Sequence, residues 1–201
     1  MSVTSEHRTS RPGGRTAKVR AAVLEATTEE LVEQGFHGLN MERVATRAGV
    51  GKTTLYRRWG TPAGLAADLL ADLADRSVTR PDTGSIEGNL AAHTEAVLGA
   101  LNDPRFGAVM RALIAAATCD ERTAAALHEF HARRNAEWSS NVAAAVERGE
   151  LPAGTDPAAV TRAAAGGLYY RAIVTGEPID ETVAAQAVRA VLAAARAGAY
   201  A

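Results

Sequence analysis

The chain has one cysteine, few aromatic residues and hardly any lysine. Cys119 stands alone, so no disulfide can close within these 201 residues and no paired-cysteine metal site is present. No apolar run approaches bilayer-spanning length, and the first residues lack the apolar stretch of a secretory signal. The expectation is a cytoplasmic protein. There is no Gly-x-Ser-x-Gly elbow, no Gly-rich phosphate loop and no His-Glu-x-x-His run. Ser139, Ser140, Cys119 and the five histidines therefore carry no recognisable set of nucleophile, base and orienting group. His128 and His131 are three apart but lack a third ligand nearby, so no metal and no cofactor is expected. No repeat of 20–50 residues is visible.

What is plentiful is alanine and arginine, a composition that suits closely packed helices better than a sheet. Lys18 and Lys52 are the only lysines, which with the alanine content suggests a GC-rich bacterial genome. The net charge of −1 hides an asymmetry: residues 1–60 carry ten basic and six acidic residues (+4), and the rest twelve and seventeen (−5). A basic head on an acidic body fits a head that meets phosphate.

Residues 1–14 are polar and lack periodicity, and read as a disordered arm from which Arg8, Arg11 and Arg15 reach toward phosphate. Residues 16–34 read as a helix capped by Thr16, with Val19, Val23, Ala26, Thr27, Leu31 and Val32 inward. Gly35 ends it and Phe36 plugs the small core. Thr61 and Pro62 have the chemistry of a helix start, followed by Leu65, Leu69, Leu70 and Leu73 at helical spacing. Arg80-Pro81-Asp82-Thr83-Gly84-Ser85 is the clearest break. Five further helices are predicted over residues 85–101, 104–117, 121–148, 156–175 and 180–197. The fold class is all-α, about nine helices, divided into an arm (1–14), a head (15–75) and a body (82–201).

The most informative stretch is Asn40 to Trp59. Met41, Val44, Ala45 and Ala48 recur at helical spacing behind Asn40, which suits an N-cap. Gly49 permits a sharp turn. A second helix starts at about Gly51, with Leu55 and Trp59 inward. Lys52, Thr53, Thr54, Tyr56, Arg57 and Arg58 are left to face outward. Two helices crossing at a Gly turn, the second bearing cations and hydroxyls, form the build of a DNA-reading helix-turn-helix. With Gly35-Phe36, Val44-Ala45, Ala48-Gly49-Val50, Leu55-Tyr56, Trp59 and Leu65, the stretch from Thr16 to Leu73 resembles the TetR family of transcriptional repressors, and LYRRW resembles one branch of it. The resemblance implies three N-terminal helices on DNA and a larger helical domain for ligand binding and dimerisation. It implies a homodimer through the last two helices, which carry Ala163, Ala164, Gly166, Gly167, Ala184, Ala187 and Ala190. It also implies DNA contacts at Asn40, Gly51, Lys52, Thr53, Thr54, Tyr56, Arg57 and Arg58. One departure is Pro62, where the family often has lysine.

By residue type, Lys52 can donate to guanine and a Thr methyl can touch thymine, while Tyr56, Arg57 and Arg58 suit phosphate. A body pocket for a small effector is expected among Phe106, Met110, Leu113, Phe130, His131, Asn135, Trp138, Tyr169 and Tyr170. Adjacent Tyr169 and Tyr170 must point apart, so at most one faces it. The expected function is a repressor, not an enzyme, released from a palindromic DNA operator by a small molecule. The alternatives are an effector-independent DNA-binding adaptor and a small helical enzyme.

Overall fold

The computed structural model describes residues 12–76 and 81–201. Among them are nine α-helices, one π-helical segment and no strand. The helices are α1 (Pro12–Gln34), α2 (Met41–Arg47), α3 (Lys52–Trp59), α4 (Pro62–Asp75) and α5 (Ile86–Asn102), then α6 (Pro104–Ala117), α7 (Glu121–Glu147), α8 (Pro157–Tyr169) and α9 (Glu181–Arg196). The π segment, Tyr170–Thr175, follows α8 directly.

Short polar side chains start the helices where the spacing predicts. Ser85 accepts from the Gly88 N–H, Asp120 from Thr123 and Asp180 from Val183. Asp103 and Asp156 each accept from two N–H groups of the first turn. Each such cap satisfies a donor the helix leaves open and contributes about 1 kcal/mol. Pro62, Pro104 and Pro157 occupy first-turn positions, where a missing N–H removes nothing.

Three expectations are corrected. Helix α1 begins at Pro12, so residues 12–14 are helical and Thr16 lies inside the helix, exposed, and caps nothing. Arg8, Arg11 and the side chain of Arg15 fall outside the described residues. Val32 is 39% exposed, and Leu24 and Glu30 take inward positions instead. An acid can sit there because α2 supplies two guanidinium groups: Arg43 lies 2.8 Å and Arg47 3.4 Å from the Glu30 carboxylate. Apolar periodicity alone cannot place a charge inside, so Glu30 escapes it, while Val23, Ala26, Thr27 and Leu31 are buried as expected. Finally, residues 156–175 are not one α-helix. The helix widens into a π turn after Tyr169 and stops at Gly176, whose φ is +69°.

The core is continuous from head to body. Val23, Leu31, Val44, Leu55, Trp59, Leu65 and Leu69 pack in one cluster with Met110, Leu113 and Phe130 of α6 and α7. Each such side chain contributes about 1.5–3 kcal/mol by leaving water. Two smaller clusters join α5, α7, α8 and α9. The connecting helix α4 is inward over most of its length, with Leu65 and Leu70 fully buried. It packs chiefly along α7, so the head rests on the longest helix of the body.

Candidate nucleic-acid interface

Asn40 caps α2 by accepting from the N–H groups of Glu42 and Arg43 at 2.9 and 3.1 Å. Its amide oxygen is therefore already engaged, and a phosphate contact from this position falls to the amide NH₂. Gly49 turns the chain at φ +65°, a conformation that a Cβ resists. Gly51 is the extended residue before α3. Leu55 and Trp59, 0% and 3% exposed, pin α3 to the core.

With that face inward, Lys52, Thr53, Tyr56, Arg57 and Arg58 are exposed and Thr54 is half-buried. They differ in what holds them. Lys52 donates to Glu42 at 2.6 Å, tying the start of α3 to the first turn of α2. The Arg58 guanidinium lies 4.8 Å from the Trp59 ring centroid, stacked against the head's own core. Among the described residues, no hydrogen bond, ion pair or ring contact holds the side chain of Tyr56 or of Arg57. The cations of α2 are committed elsewhere: Arg47 bridges Glu29 and Glu33 as well as Glu30. Arg43 is tied to Glu30 and to the Gly38 carbonyl. Among the described residues, the basic surplus of the head is thus presented chiefly by α3.

Two families of sequence match. Residues 23–69 match the model for bacterial regulatory proteins of the tetR family, and residues 80–191 match that for the tetracyclin repressor-like C-terminal domain. The second covers more than half of the chain. The chain belongs to the TetR family. It is similar to the HTH-type transcriptional regulator AqdR of Rhodococcus erythropolis, 29% identical over 93% of this chain and 90% of that one. It is also similar to the DNA-binding transcriptional repressor TetR of Mycobacteroides abscessus, 29% identical over 86% of this chain and 90% of that one. The solved TetR family transcription regulator SCO0332 matches at 31% identity with a TM-score of 0.68, over 88% of this chain and 97% of that one. The protein is therefore a TetR-family DNA-binding transcriptional regulator and not an enzyme.

In this TetR-family chain, α4 is tied to the other helices of the head and, at its C-terminal end, to the body. On the head side, in its middle and second half, the Trp59 indole donates to Asp68 at 2.8 Å, and Arg20 of α1 pairs with Asp68 and Asp72. Burial pushes the Asp68 carboxyl up, but the hydrogen bonds from Arg20 and Trp59 outweigh it and hold it below the usual carboxylate range. At the C-terminal end, Arg134 of α7 donates to the carbonyls of Leu73 and Ala74 at 2.7 and 3.1 Å and to that of Arg76. A guanidinium there satisfies carbonyls that the helix end leaves open. Neither Asp68 nor Arg134 was singled out from sequence. The legible signals were an acid pair four apart on α4 and an arginine among the inward residues of α7.

The proposed pocket residues divide into two groups. Met110, Leu113 and Phe130 belong to the shared core, and Phe106 packs against it. His131, Asn135 and Trp138 share a face of α7, where His131 meets Tyr169 edge-on at 5.4 Å and Trp138 stacks on His93 of α5 at 4.7 Å. Tyr169 is half-buried, while Tyr170 is 59% exposed and turned outward. A separate cleft of about 730 Å³ between α5 and α9, lined by Glu87, Thr94, Glu95, Leu98, Val188 and Arg189, touches none of the nine. His93 was missed, although 86, 90, 93, 97 and 101 mark one inward face of α5. No helix among the described residues is long and apolar enough to cross a membrane, and no three or more of their His, Cys, Asp or Glu side chains are grouped so as to hold a metal ion.

His93 makes stability depend on pH. Burial pushes its imidazole down from 6.5 to about 4. The unfolded chain therefore takes up the proton first, and the stabilisation is full above pH 6.5 and lost as pH falls toward 4. The expected loss between pH 7 and pH 5 is about 2 kcal/mol. Urea unfolding at both pH values should show that loss in the native chain and a loss smaller by most of that amount in His93→Phe. Equal losses would reject the assignment.

Proposed function

We propose that the protein is a homodimeric repressor whose two α3 helices enter successive major grooves of a two-fold operator, about 34 Å apart. A small molecule binding in the body releases it. The carrying observation is α3 itself, its apolar side locked into the core and its unpartnered Tyr56 and Arg57 turned outward beside Lys52. The division into a head of residues 15–75 and a body of 82–201, and a place in the cytoplasm, belong to the same reading.

Dimerisation through α8 and α9 is supported by glycines that this subunit does not need. Gly166 and Gly167 are exposed within α8, and a Cβ on either meets nothing within 4 Å. Glycine inside a helix costs about 1 kcal/mol relative to alanine, so close approach of a second backbone accounts for both. Tyr170 and Val174, 59% and 71% exposed, continue that surface. Ala164 and Ala184, in contrast, are buried within the subunit.

Release follows if the ligand favours a position of α7 that differs from the DNA-bound one, since α7 holds the end of α4 through Arg134. The test uses an operator recovered by selection from genomic fragments. The native dimer should bind it in an anisotropy titration, and a stabilising ligand from a thermal-shift screen should release it. Arg134→Ala should keep ligand and operator affinities within about threefold while the ligand's effect on operator binding falls at least fivefold. A monomer indifferent to every duplex at low salt rejects the proposal. A dimer that binds DNA but is stabilised by no ligand is the effector-independent adaptor instead.

A further inference from the structure

The His93 ring is 6% exposed, and its Nδ1 is the one buried side-chain nitrogen or oxygen among the described residues without a hydrogen-bond partner. Such a group carries an uncompensated desolvation cost, and a native chain keeps one only where something else satisfies it. It sits in particular surroundings. Trp138 covers one ring face at 4.7 Å, and His131 and Tyr169, both half-buried, meet edge-on farther along α7 and α8. Immediately after Tyr169 the helix widens into the π segment, whose Ala172 and Ile173 pack in the same cluster as Tyr169. A π turn is a helix distortion often found at functional sites, and here it packs beside the Tyr169 end of the aromatic residues.

The charge pattern limits the occupant. Among the described residues the only buried charged side chain is Glu30, in the head. Arg134, on α7 between His131 and Trp138, lies over Phe130 and is paired with Glu137 at 2.7 Å. An anion or cation seated beside His93 would therefore lose its hydration without gaining a counter-charge. Stacked rings favour a flat aromatic body. A hydroxyl satisfies the imidazole in either tautomer, because it can both donate and accept.

Resting on the effector reading above, we infer that the effector seat is the aromatic cluster around His93 and that its ligand is an uncharged, planar aromatic molecule carrying a hydroxyl group directed at Nδ1. His131 and Tyr169 form the rim by which it enters. The neutral state of His93 near pH 7, enforced by burial, agrees with a seat built for an uncharged partner.

The experiment is calorimetric titration of the full-length protein with 2-naphthol, naphthalene and 2-naphthoate. The native chain should bind 2-naphthol about tenfold more tightly than either comparator, the factor expected of one buried hydrogen bond. His93→Phe, which keeps the ring stack, should bind naphthalene within about twofold of native and lose the preference for the hydroxyl. Its melting temperature should rise by a few degrees, because the orphan nitrogen is gone. Failure of all three probes to bind, naphthoate binding as tightly as naphthol, or an intact hydroxyl preference in His93→Phe would each overturn the inference. The broader reading fails separately. Naphthol bound through His93 that leaves operator affinity unchanged keeps the seat and removes its role as effector site. A metabolite that releases the operator with unchanged potency from His93→Phe keeps the effector reading and removes this seat.

Discussion

Gly64→Ala should destabilise the protein by about 2 kcal/mol net, even though alanine is the better helix former. Gly64 lies in the first turn of α4, buried, with its N–H on the Thr61 hydroxyl at 3.1 Å. A Cβ there would stand 2.0 Å from the Trp59 carbonyl oxygen and 3.1 Å from the Arg122 guanidinium. The guanidinium is the end of a flexible side chain and can swing away. The carbonyl cannot move cheaply, because it accepts from the Thr61 N–H at 2.8 Å and belongs to a residue whose indole is held by Asp68. Nor can α4 retreat, with Leu65 and Leu70 fully buried beneath it. The overlap therefore outweighs a propensity gain of about 1 kcal/mol. In a chain of this size the melting temperature should fall by about 4–8 °C. Operator affinity should fall with it, because the overlap is relieved only by shifting α3 against α4. Gly99→Ala supplies the contrast: it is helical, a Cβ there meets nothing within 4 Å, and it should raise the melting temperature slightly. A Gly64→Ala chain that melts with the native protein would show that α3 and α4 are not in the contact described.

The same residue illustrates what the sequence does and does not disclose. Caps, glycine turns and helix-spaced leucines are local, and apart from the start of α1 and the end of α8 they placed the nine α-helices to within a turn, with the Gly49 bend and the inward pair Leu55 and Trp59. What escaped depends on contacts between different helices. Glu30 is inward because Arg43 and Arg47 come from another helix, and Gly64 is needed because the end of α3 crosses it. Asp68 draws its meaning from Arg20, 48 residues earlier. The outward set on α3 was legible, since exposure there is what remains once the apolar face is assigned. The body site was less so. Residue type alone put Met110, Leu113 and Phe130 beside His131 and Trp138, whereas packing assigns those three to the shared core. His93 was overlooked because a lone histidine on an apolar face reads as filler until its nitrogen is seen to lack a partner.

Arg57→Ala should have the largest effect on DNA binding, weakening the operator complex about a hundredfold or more at low salt. A charge-assisted hydrogen bond contributes about 1.5–3 kcal/mol, and the proposed dimer loses two at once. The fold should be untouched, with the melting temperature within about 1 °C of native, because the side chain is exposed and holds no other group. If both guanidinium groups meet phosphate, the slope of log K against log salt should become shallower by about 1.8. Lys52→Ala should cost less, although it also removes a cation from each head. Lys52 must first leave Glu42, and an exposed pair of that kind contributes about 0.2–1 kcal/mol that DNA binding has to replace. Tyr56→Phe should weaken binding by an intermediate amount with no change in slope, since a hydroxyl donates without releasing a counterion. Salt titrations of the three variants therefore separate the roles. An unchanged slope in Arg57→Ala would mean that this guanidinium reads a base or faces water, and a full slope change in Tyr56→Phe would mean that α3 is rotated about its axis from the orientation proposed.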